Sequence, residues 1–207
     1  MKQYRAQYVS NQAAFLEALN TLPKAEVCEY PWACEYRPET YAQLAWNEDG
    51  LFVYMRAYEP NPRMEECADN GDIYMDSCLE FFINPCPDEV VFCNFEVNPR
   101  GFMYLASGPE ALEDRTLEDR GEFGGFDLTA RVSDAYWDVC YCVPNAYFKK
   151  FNPHFALKEN DTLQANFYKC GDGTPKPHYG CWSPITSGEE TPNFYHVCDF
   201  GEILLEK

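Results

Sequence analysis

No apolar run in this 207-residue chain approaches the roughly 20 residues that a membrane-crossing helix needs. The opening Met1-Lys2-Gln3-Tyr4-Arg5-Ala6 lacks the apolar core of a secretory signal. The chain is therefore expected to stay in the cytoplasm, or to be secreted if a leader has been trimmed from the sequence as given. Basic residues are few. Against 34 Asp+Glu stand 16 Lys+Arg, and the formal charge of -18 repels phosphate backbones and anionic lipid headgroups at long range. Nucleic acid and membrane surfaces are thus expected not to be partners. The three histidines, His154, His178 and His196, are isolated, with no His-x-x-x-His or Cys-x-x-Cys spacing to suggest zinc, and read as surface or loop residues. No Gly-x-Ser-x-Gly elbow and no phosphate-cradling loop occurs, since Gly171-Asp172-Gly173 lacks the lysine and helix such a loop needs. Neither a metal nor a cofactor is called for.

What is present is apolar, aromatic and β-patterned. Hydrophobic residues reach 46% and aromatics 16%, mostly 15 Tyr and 15 Phe, enough for a sizeable core and against disorder. Composition does not divide the chain, so residues 1–207 are read as one domain. The 11 cysteines are odd in number and irregular in spacing, and a chain of this length does not need disulfide staples, so reduced, mostly buried thiols are expected. Cys140 and Cys142, two apart on a strand, read as packing residues.

Asn11 is placed to cap a short helix through Ala14, Phe15, Ala18 and Leu19, which Pro23 ends. From Tyr41 onward, short alternating runs separated by Gly, Pro, Asn and Asp predict antiparallel sheet, and the fold class is all-β, a two-sheet sandwich. Tyr41–Trp46, the turn 47–50 and Leu51–Tyr58 form a hairpin. Asp76–Asn84 and Val90–Asn98 form two strands around Pro85-Cys86-Pro87-Asp88. In these Leu79, Phe81, Ile83, Val91, Cys93, Phe95 and Val97 face the core, leaving Glu80, Phe82, Asn84, Asn94, Glu96 and Asn98 on the other side. Residues 108–125 read as a charged loop with one helical turn. Phe126–Val132, Tyr136–Val143, Leu163–Cys170 and Phe200–Leu205 complete the strands.

The informative feature is the face opposite the core, where neighbouring strands carry carboxylate, amide and aromatic side chains. Such faces suit sugars, whose C–H patches stack on rings while their hydroxyls take fixed donors and acceptors. An ordinary solvated sheet face would carry the same alternation. Glu80 and Glu96 also fit a glycosidase acid and base, though acidic residues are so frequent here that a chance pair is expected. Asp69, Asn70 and Asp72 around Gly71 could offer oxygens to calcium, but they are plain turn formers too, and are read as such.

Trp46 ahead of Leu51-Phe52-Val53-Tyr54, the run from Asp76 to Ile83, Phe95-Glu96-Val97-Asn98 and the closing Phe200-Gly201-Glu202-Ile203-Leu204-Leu205 resemble, in that order, the family 9 carbohydrate-binding modules, specifically their stand-alone relatives. The resemblance implies a β-sandwich that holds a mono- or oligosaccharide between two aromatic rings and does no catalysis. It puts the rings at Tyr74 and Phe194, each six residues ahead of a family landmark, and the polar contacts at Glu80, Glu96, Asn98, Asn166 and Tyr168. Two departures stand out: both rings are tryptophan in the best-known members, and Glu96 stands where those members have arginine. Family modules are usually secreted and joined to glycan-degrading enzymes. A glycosidase using Glu80 and Glu96, and a sandwich serving haem binding (through Met64, Met75 or His196) or protein interaction, remain the rival readings.

Overall fold

A computed structural model describes residues 2–85 and 91–207. The turn at Cys86-Pro87-Asp88 and the start of its second strand at Val90 lie outside them. In chain order the elements are β1 (Gln3–Tyr8), α1 (Gln12–Ala18), β2 (Ala25–Glu26), β3 (Thr40–Asn47), β4 (Gly50–Ala57), β5 (Cys78–Asn84), β6 (Phe92–Val97) and β7 (Met103–Gly108). They continue with β8 (Thr116–Leu117), β9 (Thr129–Val132), β10 (Trp137–Pro144), α2 (Asn145–Phe148), β11 (Thr162–Cys170), β12 (Tyr179–Cys181) and β13 (Gly201–Glu206).

The strands form one hydrogen-bonded path, β8-β7-β6-β5-β11-β13-β1-β3-β4-β10-β9, with β12 paired to β11 and β2 to β3. The path curls over at β1, which runs parallel to both β13 and β3, and its two halves pack face to face as the expected β-sandwich. Period-two alternation fills the space between them. Leu79, Phe81 and Ile83 of β5 and Cys93, Phe95 and Val97 of β6 meet Leu51, Val53, Met55 and Ala57 of β4 and Trp137, Val139 and Tyr141 of β10. The rings of Phe95 and Tyr141 touch across the layers at 6.3 Å.

Local chemistry sets the turns. The Asn47 side chain accepts from the Asp49 and Gly50 amides (2.8 and 3.2 Å), closing the β3–β4 hairpin, and Asn11 Oδ1 accepts from the Ala14 amide at 3.0 Å to cap α1. Helix α1 lays Phe15 on Phe52, Tyr54, Cys140 and Cys142, the outer face of the β3-β4-β10 layer. The outer face of the other layer is covered as well. Phe82, Phe92 and Tyr168 project from β5, β6 and β11 into a second apolar cluster, closed by Trp32 and by Phe194 and Phe200 of the long segment after β12. A solvated sheet face is thus absent there among the described residues.

Several details depart from expectation. β1 was not foreseen, because only Tyr4 and Ala6 point inward and two small signals do not make a period. The 108–125 excursion holds two single 3-10 turns, Leu112–Asp114 and Arg120–Glu122, and the short β8. His178 is fully buried, not at the surface, and its ring nitrogen lies 2.7 Å from Lys169 Nζ. The turn reading of 69–72 holds: Asp69 and Asn70 accept from the Met103 and Leu105 amides (3.0 and 2.9 Å), and Asn70 has φ 58°. The ten described cysteines are unbonded, six of them buried. No helix among the described residues is long and apolar enough to cross a membrane.

Candidate functional site

The cover over β5, β6 and β11 is incomplete. Where it opens, a cleft of about 640 Å³ runs between the turn Ile73–Met75, the sheet and the segment 189–195. Strand register builds its floor. Glu80 on β5 lies directly opposite Glu96 on β6, Glu96 opposite Tyr104 on β7, and Glu80 opposite Tyr168 on β11, so one row crosses four strands. Tyr74, Tyr179, Phe194 and Tyr195 supply aromatic wall, and Asp72, Asp172 and Glu189 further carboxylates.

The floor is electrostatically unusual. Glu80 and Glu96 are 3% and 5% exposed. Burial pushes Glu96 up to about 7, against the opposing effect of hydrogen bonds from Asn94 Nδ2 (2.7 Å) and the Tyr195 hydroxyl (3.2 Å). Burial, and then the charge of Glu96, pushes Glu80 well above the usual carboxylate range; the Cys170 thiol is its hydrogen-bond partner. Asp172 is raised by burial too, and its amide donates to Tyr74 O at 3.2 Å, tying the end of β11 to the Tyr74 turn. At the rim, hydrogen bonds from Asn193 and His196 hold Glu189 low.

These shifts are linked to stability. Glu96 has an ordinary value of 4.5 and a folded one of about 7, so the folded protein holds this proton more tightly. That stabilisation is complete below pH 4.5 and is lost as pH rises through about 7. Glu96→Gln is therefore expected to gain about 2 to 3 kcal/mol on the wild type between pH 5 and pH 8. Urea unfolding at both pH values measures this, and an unchanged difference between the two proteins would show that Glu96 is not desolvated.

Four of the seven sequence-predicted residues, Tyr74, Glu80, Glu96 and Phe194, line the cleft. They differ in kind. Tyr74 is 44% exposed on its turn, whereas Phe194 is 8% exposed, stacked on Tyr168 (4.2 Å, 14°) and set against Trp32. The other three, Asn98, Asn166 and Tyr168, are fully buried and turned to protein partners. Asn98 donates to Asp76 Oδ2 (3.0 Å) and Glu66 O (3.1 Å) and accepts from the Arg100 and Phe102 amides, which fixes the loop ahead of β5. Asn166 holds Ser183 through both its main-chain polar groups, and the Tyr168 hydroxyl donates to Phe194 O. They support the cleft from below.

Tyr104, Asp172, Tyr179, Glu189 and Tyr195 are cleft residues that the sequence reading missed. Tyr104 was within reach: extending the alternation one strand beyond Glu96 puts it beside that residue. The others sit on segments without periodicity. A soft divalent metal would find its donors at Cys78, Glu80 and Cys170, whose ligand atoms lie within 4.8 Å of one another. Burial pushes the Cys78 thiol up to about 12, however, so a metal must displace a tightly held proton there.

Comparison with known proteins places this geometry. Residues 12–205 match the model of carbohydrate-binding family 9, and the chain belongs to that family. A crystal structure from Bacteroides uniformis, of a protein proposed to bind carbohydrate, is similar at 25% identity and TM-score 0.87, with 99% of each chain covered. A family 9 carbohydrate-binding module from Caldicellulosiruptor kristjanssonii is similar in fold at 15% identity. Its glucose complex gives TM-score 0.64 (99% of this chain, 96% of that one) and its cellotriose complex 0.65 (99% and 94%). No curated protein matches.

Proposed function

We propose that the protein is a non-catalytic carbohydrate-binding domain whose sugar lies in the cleft above Glu80 and Glu96. The observation that supports this most is the cleft itself: a polar row on a sheet floor, walled by aromatic rings, in a member of a carbohydrate-binding family. Its volume of about 640 Å³ suits one or two sugar rings. Similar folds hold glucose and cellotriose. Tyr74 offers a free ring face for stacking. Phe194, backed by Tyr168, offers the opposing edge, and Glu80, Glu96 and the Tyr195 hydroxyl offer hydrogen bonds to the sugar's hydroxyls.

The raised Glu96 beside Glu80 is the observation that favours hydrolysis as a second reading. Geometry weighs against it. Glycosidase carboxyl groups flank the scissile bond from two sides, whereas these project side by side from one sheet floor. Aryl glycosides should therefore be left intact by the wild-type protein; turnover abolished by Glu80→Gln would establish the enzyme.

Tyr74→Ala is expected to weaken glucose or cellotriose binding by about 1 to 2 kcal/mol, since it removes a stacking face. Because the ring is 44% exposed, the melting temperature should barely move. Calorimetric titration beside a thermal melt tests both halves, and unchanged affinity would remove Tyr74 from the site.

A further inference from the structure

The cleft is lined by Asp72, Glu80, Glu96, Asp172 and Glu189, and among the described residues by no lysine, arginine or histidine. A surface rich in acid would by itself say little in so acidic a chain. The depth of two of these groups says more, because elsewhere the protein shows how it handles buried carboxylates. Glu59 is paired with Lys169, Asp76 with Arg63, Glu118 with Lys150, and Asp138 with both Arg56 and Arg131. Buried Asp199 takes hydrogen bonds from the Thr186 amide and hydroxyl instead. Glu80 and Glu96, as deeply placed as these and adjacent to each other, have no lysine or arginine at ion-pair distance among the described residues.

The cations whose charge reaches the pair, Lys169 for Glu80 and Arg115 for Glu96, are already committed, Lys169 to Glu59 at 3.1 Å. Arg115 donates to the carbonyls of Gly108, Pro109 and Phe92 (3.0, 2.7 and 3.1 Å) and to Asn94 Oδ1 (2.5 Å), and it lies 4.0 Å over the Phe92 ring. Its hydrogen-bonded link to Glu96 runs through Asn94, whose amide donates to that carboxylate. The Cys170 thiol is the hydrogen-bond partner that lowers Glu80. Two carboxyl groups facing a cleft with no positive partner are costly as anions unless the partner arrives from outside. The surrounding tyrosines, Tyr74, Tyr104, Tyr179 and Tyr195, add ring faces that attract cations as well as sugar C–H groups.

We infer that the ligand of this cleft is a cationic carbohydrate, an amino sugar whose ammonium group sits on the Glu80–Glu96 pair while its ring lies against the tyrosines. The inference rests on the carbohydrate-binding reading and sharpens it. Binding would bring to the pair the cation that the protein does not set at ion-pair distance from it. The groups that act on the pair or face it are Asp172, Cys170 and Lys169 of β11 and its end, Cys78 of β5, Tyr104 of β7, Tyr195 of the covering segment, and Arg115 behind Asn94. Tyr104, Tyr195, Cys78, Cys170 and Asp172 are all shifted toward their neutral forms by their surroundings.

The test is calorimetric titration with D-glucosamine, D-glucose and N-acetyl-D-glucosamine, the last blocking the charge on the same ring. Glucosamine should bind the wild-type protein at least ten-fold more tightly than the other two, which is about 1.4 kcal/mol. Its advantage should shrink between low and high salt, and should fall toward unity in Glu96→Gln and in Glu80→Gln. The salt series needs no variant, so misfolding of either one leaves the inference exposed to test. Equal affinity for glucose and glucosamine, or a preference that survives both substitutions, would overturn the inference and leave carbohydrate binding standing. Failure of all three sugars to bind would overturn the carbohydrate reading and this one with it.

Discussion

Replacing Lys169 with Met is expected to destabilise the protein by about 3 to 5 kcal/mol, because it strands a buried carboxylate. Lys169 is fully buried on β11, with its Nζ 3.1 Å from Glu59 Oε2, 2.7 Å from His178 Nε2 and 2.8 Å from Cys170 O. Glu59 in turn accepts from Trp137 Nε1 and the Ser77 hydroxyl, both at 2.9 Å, so this one ion joins β11, β10 and the loop ahead of β5. Burial, then the charge of Lys169, lowers His178 to about 4, keeping its ring neutral. Burial opposes the ionisation of Glu59, but the charge of Lys169 and the hydrogen bonds from Trp137 and Lys169 together outweigh it and hold Glu59 low. Both depressed groups give stability that is present above their ordinary values and lost as pH falls through the folded ones, so this cluster weakens in acid while the Glu80–Glu96 pair weakens in alkali. Adding Glu59→Gln to Lys169→Met should recover a large part of the loss, since the amide oxygen can still accept from Trp137 while the amide NH2 donates to the Ser77 hydroxyl. Denaturant midpoints of the single and double variants measure this, and a single variant as stable as the wild type would mean the lysine's charge is not needed to pair Glu59.

Phe194→Ala should cost about 3 to 4 kcal/mol of stability and weaken sugar binding as well. The ring packs face to face on Tyr168, touches Trp32, and is 8% exposed, so its removal opens a cavity in the outer apolar cluster. It also removes one wall of the cleft. Tyr74→Ala, by contrast, separates the two effects, because that ring's exposed face packs on nothing. If Phe194→Ala leaves the melting temperature within a degree or two of the wild type, the covering segment is not docked as described.

How much of this was legible in the sequence depends on whether a period was there to read. The inward faces of β5 and β6 followed directly from alternation, and the β3–β4 hairpin from the Asn47 turn. Alternation assigns a face but not a depth. Asn98 was rightly placed opposite the core, yet nothing in a period of two shows that other segments of the chain will cover it. The segment from Gly171 to Cys198 has no period at all, and it hides Phe82, Phe92 and Tyr168 while contributing Tyr179, Glu189 and Tyr195 to the cleft. The parallel pairings of β1, with β13 at the other end of the chain and with β3, join segments far apart in sequence, which local pattern does not encode.

The central claim is that a sugar binds over the Glu80–Glu96 row. Titrating glucosamine or glucose into isotope-labelled protein and following the backbone amide resonances tests this most directly. Saturable shifts confined to Tyr74, Glu80, Glu96, Asp172 and Asn193 to Tyr195 are the predicted result. Shifts gathered instead at the separate hollow near Ala33 and Pro177, or no saturable shift with any sugar, would contradict it.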